Sequence, residues 1–294
     1  MTIDSSIRPV AVIGATGKQG GAVVDALTKA GVKVRAAVRD PGAPRALALA
    51  ERGVELAVAD LTSESSVCAL FDGASAAFTM TTMAGPAGTE GEVANGMSIA
   101  RAAKRSGLPF LVYSSVGGAE RGSGVPHFES KYRVEQALLE AVPVAFVRPT
   151  WFMENLTSKL EPTSTDIRLN LPLHEGVSLQ MVSVRTIGEA AAAFLLDRPP
   201  SGTAVEIAGD DLTGEQIANR IAEHLGRPVT YVQQAPQTVT DADQAAMWRW
   251  LNKPPAYMAD IERTRALVPD AEDLQQWLAR RGLGSLEDDR RLQV

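Results

Sequence analysis

A short β-branched run that ends in a cluster of glycines is the feature that most constrains this chain. Residues 10–13 are Val-Ala-Val-Ile, four glycines follow within residues 14–21, and residues 19–30 have the apolar period of a helix. In such a strand–turn–helix unit, glycines permit a sharp turn, a close approach of backbone N–H groups to a pyrophosphate, and tight packing of helix on strand. The helix N-terminus adds N–H groups and partial positive charge. The sequence therefore predicts a dinucleotide-binding loop made of Gly14, Ala15, Thr16, Gly17, Lys18, Gln19 and Gly20.

There are two alternatives to this interpretation. One is an ordinary strand–loop–helix whose glycines bind nothing, and the other is a phosphate loop of the triphosphatase type. Two residues exclude the phosphate loop, because Val12 stands where that motif requires glycine and Gln19 stands where it requires a Ser or Thr that holds Mg²⁺. The strand and the helix that flank the glycines favour dinucleotide binding over the ordinary turn.

Bulk composition excludes several classes of protein. The 294 residues carry a net charge of −6, which argues against broad binding to nucleic acid or to an anionic membrane. The single cysteine, Cys68, allows no intrachain disulfide, which fits a reducing cytoplasm. No apolar run reaches membrane-spanning length, and no spacing is typical of metal ligands. We expect a cytoplasmic protein that binds no nucleic acid, membrane or metal.

Strand-like and helix-like segments alternate through the first half of the chain. The predicted strands are 33–38, 54–59, 76–80, 110–114 and 144–147, and the predicted helices are 43–52, 64–71, 90–105 and 128–140. Such βαβ units have right-handed crossovers, so we expect an α/β fold with a Rossmann-like parallel sheet flanked by helices. Ligands of such sheets lie at the carboxyl ends of the strands. The loops that follow the strands are therefore the candidate site.

The alternation of predicted strands and helices becomes less regular after about residue 150. Helices are predicted at 151–159, 186–196, 213–225, 242–251 and 270–281, and strands at 181–184, 203–208 and 229–233, with Thr213 as a helix cap. We expect residues 1–150 to form the dinucleotide-binding domain. Residues 151–294 are expected to form a smaller α/β substrate or partner lobe that is interleaved with the main sheet.

A basic residue follows the second predicted strand, where a dinucleotide fold meets the adenosine ribose. An acidic residue there would bind the ribose 2′-hydroxyl of NAD, whereas Arg39 is suited to the 2′-phosphate of NADP. Asp40 is adjacent, and a solvated loop charge is the alternative. Lys18 in the glycine loop offers a second positive contact, so we predict NADP(H).

Polar residues follow the third and fourth strands. Asp60 can accept from the adenine amino group, and Leu61 lies beside it. The fourth strand should pass the adenine and the ribose with Thr79, Met80 and Thr81. These are inferences from position, and each residue has a purely structural alternative.

A second group of candidate functional residues follows the fifth strand. Ser115 is followed by His127 and Lys131, which are four residues apart and share a helix face if the helix begins early enough. Near a cofactor, Lys131 could hold the nicotinamide ribose, although a solvated helix lysine is the alternative. His127 could deliver a proton, because imidazole titrates near neutrality, or it could pack or cap the helix.

With these residues and motifs the chain resembles the NmrA-like branch of the atypical short-chain dehydrogenases. The resemblance rests on the glycine loop, the position of Arg39, and the motifs His-Phe-Glu-Ser-Lys (127–131), Arg-Pro-Thr-Trp-Phe-Met-Glu-Asn (148–155) and Met-Val-Ser-Val (181–184), and it covers about residues 8–285. The sequence departs from the wider dehydrogenase pattern where His127 replaces the usual tyrosine. Arg185 stands where relatives often carry Asp.

The resemblance implies an NADP(H)-binding protein with a smaller C-terminal lobe. It also implies that Lys131 and the segment Phe152, Met153, Glu154 and Asn155 touch the nicotinamide half. Similar proteins reduce quinones, triphenylmethane dyes or phenylpropanoid ethers, while others lack turnover and sense the NADP/NADPH ratio through protein partners.

Two functions therefore stay open. The first is an NADPH-dependent reductase of a small flat electrophile such as a quinone or enone, with Lys131, His127 and Ser115 as candidate catalytic residues. The second is a non-catalytic redox sensor that acts through a protein partner. A reductase needs an apolar pocket, for which the candidate walls are Met83, Trp151, Phe152 and Trp248, with core packing as the alternative for the tryptophans. A homodimer is also compatible with the sequence.

Overall fold

The computed structural model describes residues 8–281. The strands in this range are β1 (Val10–Val12), β2 (Val34–Val38), β3 (Glu55–Val58), β4 (Ala76–Met80), β5 (Leu111–Ser114), β6 (Val144–Pro149), β7 (Trp151–Phe152), β8 (Leu160–Pro162), β9 (Ile167–Leu171), β10 (Ser178–Val182), β11 (Ala204–Ile207), β12 (Asp210–Thr213) and β13 (Val229–Gln233).

The helices between them are regular α-helices. They are α1 (Lys18–Lys29), α2 (Pro44–Glu51), α3 (Glu64–Phe71), α4 (Gly88–Ser106), α5 (Pro126–Ala141), α6 (Val184–Asp197), α7 (Gly214–Leu225), α8 (Ala242–Leu251), α9 (Ile261–Leu267) and α10 (Leu274–Arg281). Because α5 begins at Pro126, His127 and Lys131 lie on one helix, one turn apart.

The central sheet has seven strands in the order β11-β6-β5-β4-β1-β2-β3, and every neighbouring pair is parallel. This order is Rossmann-like, with the chain reversing direction across the sheet between β1 and β4. The prediction of a parallel α/β sheet is confirmed. A ligand crevice is expected at this reversal, outside the carboxyl ends of β1 and β4.

Side chains of β1 alternate between the two faces of the sheet, as the period of two requires. Val10 and Val12 pack with buried residues of α1 and α6, while Ala11 and Ile13 pack with those of α3, α4 and α5. Two apolar layers therefore hold the sheet. They leave its carboxyl edge to the loops that carry the candidate site.

The second half of the chain forms two three-stranded sheets, β12-β10-β7 and β13-β9-β8, and also contributes β11 and α6 to the main body. Its own core contains all of Trp151, Met181, Ile217, Trp248 and Trp277. Helix α7 is closed by a capping box in which the Thr213 side chain accepts from the Gln216 backbone N–H, so the predicted cap is confirmed.

Several predicted boundaries in this half are wrong. Residues 151–159 are not an α-helix, because Trp151 and Phe152 pair with β10 as a strand and a 3₁₀ turn follows over Met153–Lys159. The strand predicted to reach Val184 ends at Val182, since the Ser183 side chain caps α6. The last helix begins at Leu274, not at 270. Strands β8, β9 and β12 and helix α9 were not predicted.

Candidate dinucleotide site

The glycine loop has the geometry that close packing requires. Gly14 has φ +76°, and the Gly17 N–H donates to its carbonyl at 2.8 Å. A Cβ added to Gly20 would lie 2.2 Å from the Gly14 oxygen, so no larger residue fits there without a backbone shift. Gly17 precedes α1 without a side-chain cap, and the first turn of the helix holds no acidic residue. The loop therefore presents an uncapped helix N-terminus, which suits a phosphate.

The other residues of the loop tie it to its surroundings. Ala15 is buried, and the carbonyl of Thr16 accepts from Arg45 Nη1 at 3.3 Å. The side-chain oxygen of Gln19 accepts from Ser114 Oγ at 2.6 Å, which joins the loop to the end of β5. Lys18 is exposed at the start of α1.

Two arginines follow β2, Arg39 in the loop and Arg45 in the first turn of α2. Arg39 is exposed and has no hydrogen bond or ion pair with any residue of the described range, while Asp40 is engaged locally because it accepts from the Gly42 N–H at 2.8 Å. Arg45 in the first turn of α2 reaches back to the glycine loop through Thr16. Arg45 was missed by sequence reasoning, since it lies inside a predicted helix. Arg45 thus brings a second guanidinium group beside the glycine loop.

Asp60 follows β3 and is exposed. Its carboxylate accepts from the hydroxyl and the N–H of Thr62, and these hydrogen bonds lower the pKa of Asp60. It is therefore an ionised acceptor at neutral pH. Leu61 is partly buried against the apolar layer that contains α3 and α4.

The ends of β4 and β5 hold hydroxyl groups without partners. Thr79 and Ser115 are both buried, and neither hydroxyl has a hydrogen-bond partner in residues 8–281. A Cβ added to Gly14 would lie 3.5 Å from the sulfur of Met80. The end of β4 therefore lies beside the glycine loop. A buried hydroxyl without a partner costs free energy. These groups therefore fit a polar ligand at the strand ends.

Lys131 is held by two acceptors. Its Nζ donates to the Thr81 carbonyl at 3.0 Å and to Glu92 Oε1 at 2.9 Å. It also lies 5.8 Å from the centre of the Tyr113 ring. The amine is therefore fixed at the ends of β4 and β5, and it is not a solvated helix lysine. Glu92 and Tyr113 were missed, because nothing local marks a helix glutamate or a strand tyrosine as a partner of Lys131.

His127 is held by Asp243 of α8. The carboxylate accepts the His127 backbone N–H at 2.9 Å and its other oxygen lies 2.6 Å from Nδ1. Burial raises the pKa of Asp243, but the bonds and charge of His127 outweigh it and lower that pKa. Asp243 thus satisfies one of the free N–H groups at the start of α5, which supports the structural reading of His127. The contact occupies Nδ1 and leaves Nε2 for another partner.

The segment 152–155 lies between the main sheet and the C-terminal helices. Phe152 packs against the α1 and α6 layer, Met153 is buried, and Asn155 is partly exposed. The Glu154 carboxylate accepts from the Val184 N–H and from Trp277 Nε1 at 2.9 Å. Glu154 therefore anchors the start of α6 to α10.

The predicted pocket walls do not all meet. Trp151 and Trp248 are buried with ring centres 6.0 Å apart in the core of the second half. Phe152 packs into a different core, and Met83 lies in the loop after β4. Core packing is thus what the structure shows for both tryptophans.

Arg185 at the start of α6 takes part in ion pairs. It contacts Glu189 at 3.0 Å and Glu272 at 3.3 Å, and Arg280 pairs with the same Glu272. A groove of about 670 Å³ runs beside them along α1 and reaches Gly17 and Lys18. Gly17, Lys18 and Glu154 are among its lining residues, so the groove borders the glycine loop, and none of the residues at the ends of β4 and β5 lines it.

A model of the NmrA-like family matches residues 7–272, which is most of the chain. The chain belongs to the NmrA-like family. Over 162 residues it is 31% identical to the NmrA-like family domain-containing oxidoreductase FrzB of Cladobotryum sp., and the match covers 51% of this chain but only 48% of FrzB. Over 252 residues it is 24% identical to quinone oxidoreductase 2 of Escherichia coli K12, and this match covers 83% of this chain and 82% of quinone oxidoreductase 2.

Among solved structures, the fold is similar to that of NmrA, a negative transcriptional regulator crystallised in complex with NADP. The TM-score is 0.81 at 23% identity, with 97% of this chain and 98% of NmrA covered. In residues 8–281 no helix is long and apolar enough to cross a membrane. The same residues bring together no group of three His, Cys, Asp or Glu side chains that could hold a metal.

Proposed function

We propose that this NmrA-like protein is an NADPH-dependent reductase that transfers hydride to a small flat electrophile such as a quinone or enone. The observation that carries the proposal is the fixed Lys131 amine at the ends of β4 and β5, on the same sheet edge as the uncapped glycine loop. That edge is where parallel sheets bind dinucleotides. The similarity to quinone oxidoreductase 2 supports the substrate class.

The choice of NADP over NAD rests on charge. Arg39 is exposed and unpaired within the described range, Arg45 bridges to Thr16, and Lys18 is exposed at the start of α1. Three cations at the adenosine end suit a 2′-phosphate, because guanidinium groups bind phosphate through charge-assisted bonds. NmrA, which is similar in fold, was crystallised with NADP and also with NAD, so its complexes support a dinucleotide site and the choice between the two rests on these charges.

The bound cofactor supplies the hydride, and the chain supplies position and a proton. The glycine loop would hold the pyrophosphate, and the buried hydroxyls of Thr79 and Ser115 are free to bind the cofactor or the substrate. Lys131 has three N–H groups and two protein acceptors, which leaves one for a ribose hydroxyl. His127, whose Nδ1 lies 2.6 Å from the Asp243 carboxylate, would give a proton from Nε2 as the doubly protonated imidazolium and would regain it from solvent. The part of residues 151–281 that lies outside β11 and α6 would form the lobe that covers the nicotinamide.

A non-catalytic redox sensor is the second candidate. It is favoured by the mutual packing of Trp151 and Trp248, which places two predicted pocket walls in the core. The similar NmrA structure, a transcriptional regulator, also supports it. A sensor would bind NADP(H) through the same loop and act through a protein partner.

One assay separates the two candidates. Steady-state oxidation of NADPH is followed at 340 nm against a panel of quinones and enones, with calorimetric titration of the cofactor in parallel. Saturable turnover with at least one electrophile supports the reductase. Micromolar cofactor binding without turnover on the whole panel would overturn the reductase and support the sensor, and the absence of binding would overturn both.

A further inference from the structure

Glu92 is a buried carboxylate in the second turn of α4. It is 1% exposed and accepts from three side chains, which are Thr81 Oγ1 at 3.0 Å, Ser130 Oγ at 2.5 Å and Lys131 Nζ at 2.9 Å. A buried charge is tolerated when it is paired and hydrogen-bonded in this way. Glu92 is therefore an ionised counter-charge to Lys131.

The directions of the remaining bonds follow from that charge. An ionised carboxylate only accepts, so the Thr81 hydroxyl donates to Glu92 and must accept from the Tyr113 hydroxyl, 2.7 Å away. Burial, followed by the charge of Glu92, raises the pKa of Tyr113 well above its ordinary value. Tyr113 thus stays a neutral donor. The cluster of Thr81, Glu92, Tyr113, Ser130 and Lys131 holds one cation and one anion, and its net charge is zero.

We propose that Glu92 sets the preference of the site between the oxidised and the reduced cofactor by cancelling the charge of Lys131. The inference rests on the proposed function, which places Lys131 beside the nicotinamide ribose. An oxidised nicotinamide ring carries a positive charge and a reduced ring carries none. Without its counter-charge, Lys131 would repel the oxidised ring and leave the reduced ring unaffected. The neutral pair of Lys131 and Glu92 would instead give the two forms of the cofactor similar affinities. Glu92 is thus a positioning and charge-balancing residue that acts through Lys131.

The size of the effect follows from Coulomb's law. For unit charges about 8 Å apart at an effective dielectric constant of about 20 to 40, removal of the counter-charge changes an affinity by about 6- to 30-fold. The change falls on NADP⁺ and leaves NADPH nearly unaffected. The readout is therefore the ratio of the two dissociation constants, which a loss of packing would not alter.

The test is a charge cycle on the full-length protein. Kd values for NADP⁺ and NADPH are measured by calorimetry at about pH 6.5 for wild type, Glu92→Gln, Lys131→Met and the double variant. Glu92→Gln keeps the side-chain shape and should raise the ratio of Kd(NADP⁺) to Kd(NADPH) by about 6- to 30-fold. Lys131→Met leaves an uncompensated carboxylate and should lower the ratio. The double variant restores neutrality and should return the ratio to within about 3-fold of wild type.

Ser130→Ala is the matched control, since it removes a hydrogen bond to Glu92 without a change of charge and should leave the ratio unchanged. Equal shifts of both Kd values in Glu92→Gln, or a double variant as shifted as the single, would overturn the inference. If Glu92→Gln does not fold by circular dichroism, Lys131→Met and the charge-neutral double variant decide it by the same ratio. Failure of the wild type to bind either cofactor overturns the proposed function instead.

Discussion

The Asp243 carboxylate accepts the backbone N–H of His127 at 2.9 Å and also lies 2.6 Å from Nδ1 of the same residue. A single side chain of α8 thus caps the start of α5 and orients the imidazole. The contact joins the C-terminal half of the chain to the helix that carries Lys131, four residues further on.

The first prediction concerns stability. Asp243→Ala should lower the free energy of unfolding by about 1 kcal/mol at pH 7, the scale of a lost helix cap, and Asp243→Asn should cost less because its amide oxygen can still accept. The pKa of Asp243 is lowered by His127, so this stabilisation is fully present above the ordinary value of 3.8 and is lost as the pH falls below it. Urea unfolding at pH 6 and pH 3 checks this. A difference between wild type and Asp243→Ala that persists undiminished at pH 3 contradicts it.

The second prediction separates two glycines. Gly17→Val should abolish cofactor binding, because the branched side chain would occupy the space that the pyrophosphate needs. The fold should be kept, because residue 17 lies in the loop with φ −94° and its Cβ would meet the Gly14 oxygen at 3.2 Å, a contact that a small shift relieves. Gly20→Val should destabilise the protein, since its Cβ would lie 2.2 Å from the same oxygen. Thermal unfolding and fluorescence titration with NADPH measure both effects. Normal NADPH binding by Gly17→Val would show that this loop is not the phosphate site.

The third prediction concerns the adenosine end. Arg39→Ala and Arg45→Ala should each weaken NADPH binding by about 10- to 100-fold and leave NADH binding nearly unchanged, because NADH lacks the 2′-phosphate. Arg52→Ala is the matched control, since Arg52 lies at the end of α2 and pairs with Asp25. Calorimetry with both cofactors checks the prediction. Equal wild-type affinities for NADPH and NADH would exclude the assignment of Arg39.

The fourth prediction concerns Lys131. In a reductase, Lys131→Ala should lower kcat by about 10²- to 10⁴-fold, and Lys131→Arg should recover little because the Thr81 carbonyl and Glu92 enclose a compact ammonium group. In a sensor, Lys131→Ala should weaken cofactor binding. Full activity together with unchanged cofactor affinity would remove Lys131 from both functions.

The fifth prediction distinguishes the two roles of His127. His127→Phe removes the proton donor and its contact with Asp243, whereas Asp243→Asn retains the imidazole. If His127 is the proton donor, kcat should fall by about 10²-fold or more in His127→Phe and much less in Asp243→Asn. Equal small losses in both variants indicate a structural histidine. Steady-state kinetics with a turnover substrate provide the measurement.

The sequence by itself determined the features that neighbouring residues encode. The glycine loop before α1, the cap at Thr213 and the parallel order of strands and helices were all predictable, because each depends on residue types within a turn or on a local apolar period. The family was recognisable for the same reason, since its motifs are short and continuous. Strand β7 could not be predicted in this way, because Trp151 and Phe152 form a strand only by pairing with β10, which lies about 30 residues away in sequence.

Only the tertiary structure decided which charges meet. Glu92 and Lys131 are 39 residues apart, and His127 and Asp243 are 116 apart, yet each pair is in direct contact. A carboxylate in a helix is an ordinary surface residue until packing removes water from it, and only then must it find a partner. Burial is a property of the assembled layers. The sequence therefore located Lys131 and His127, and the fold assigned them the partners that set their chemistry.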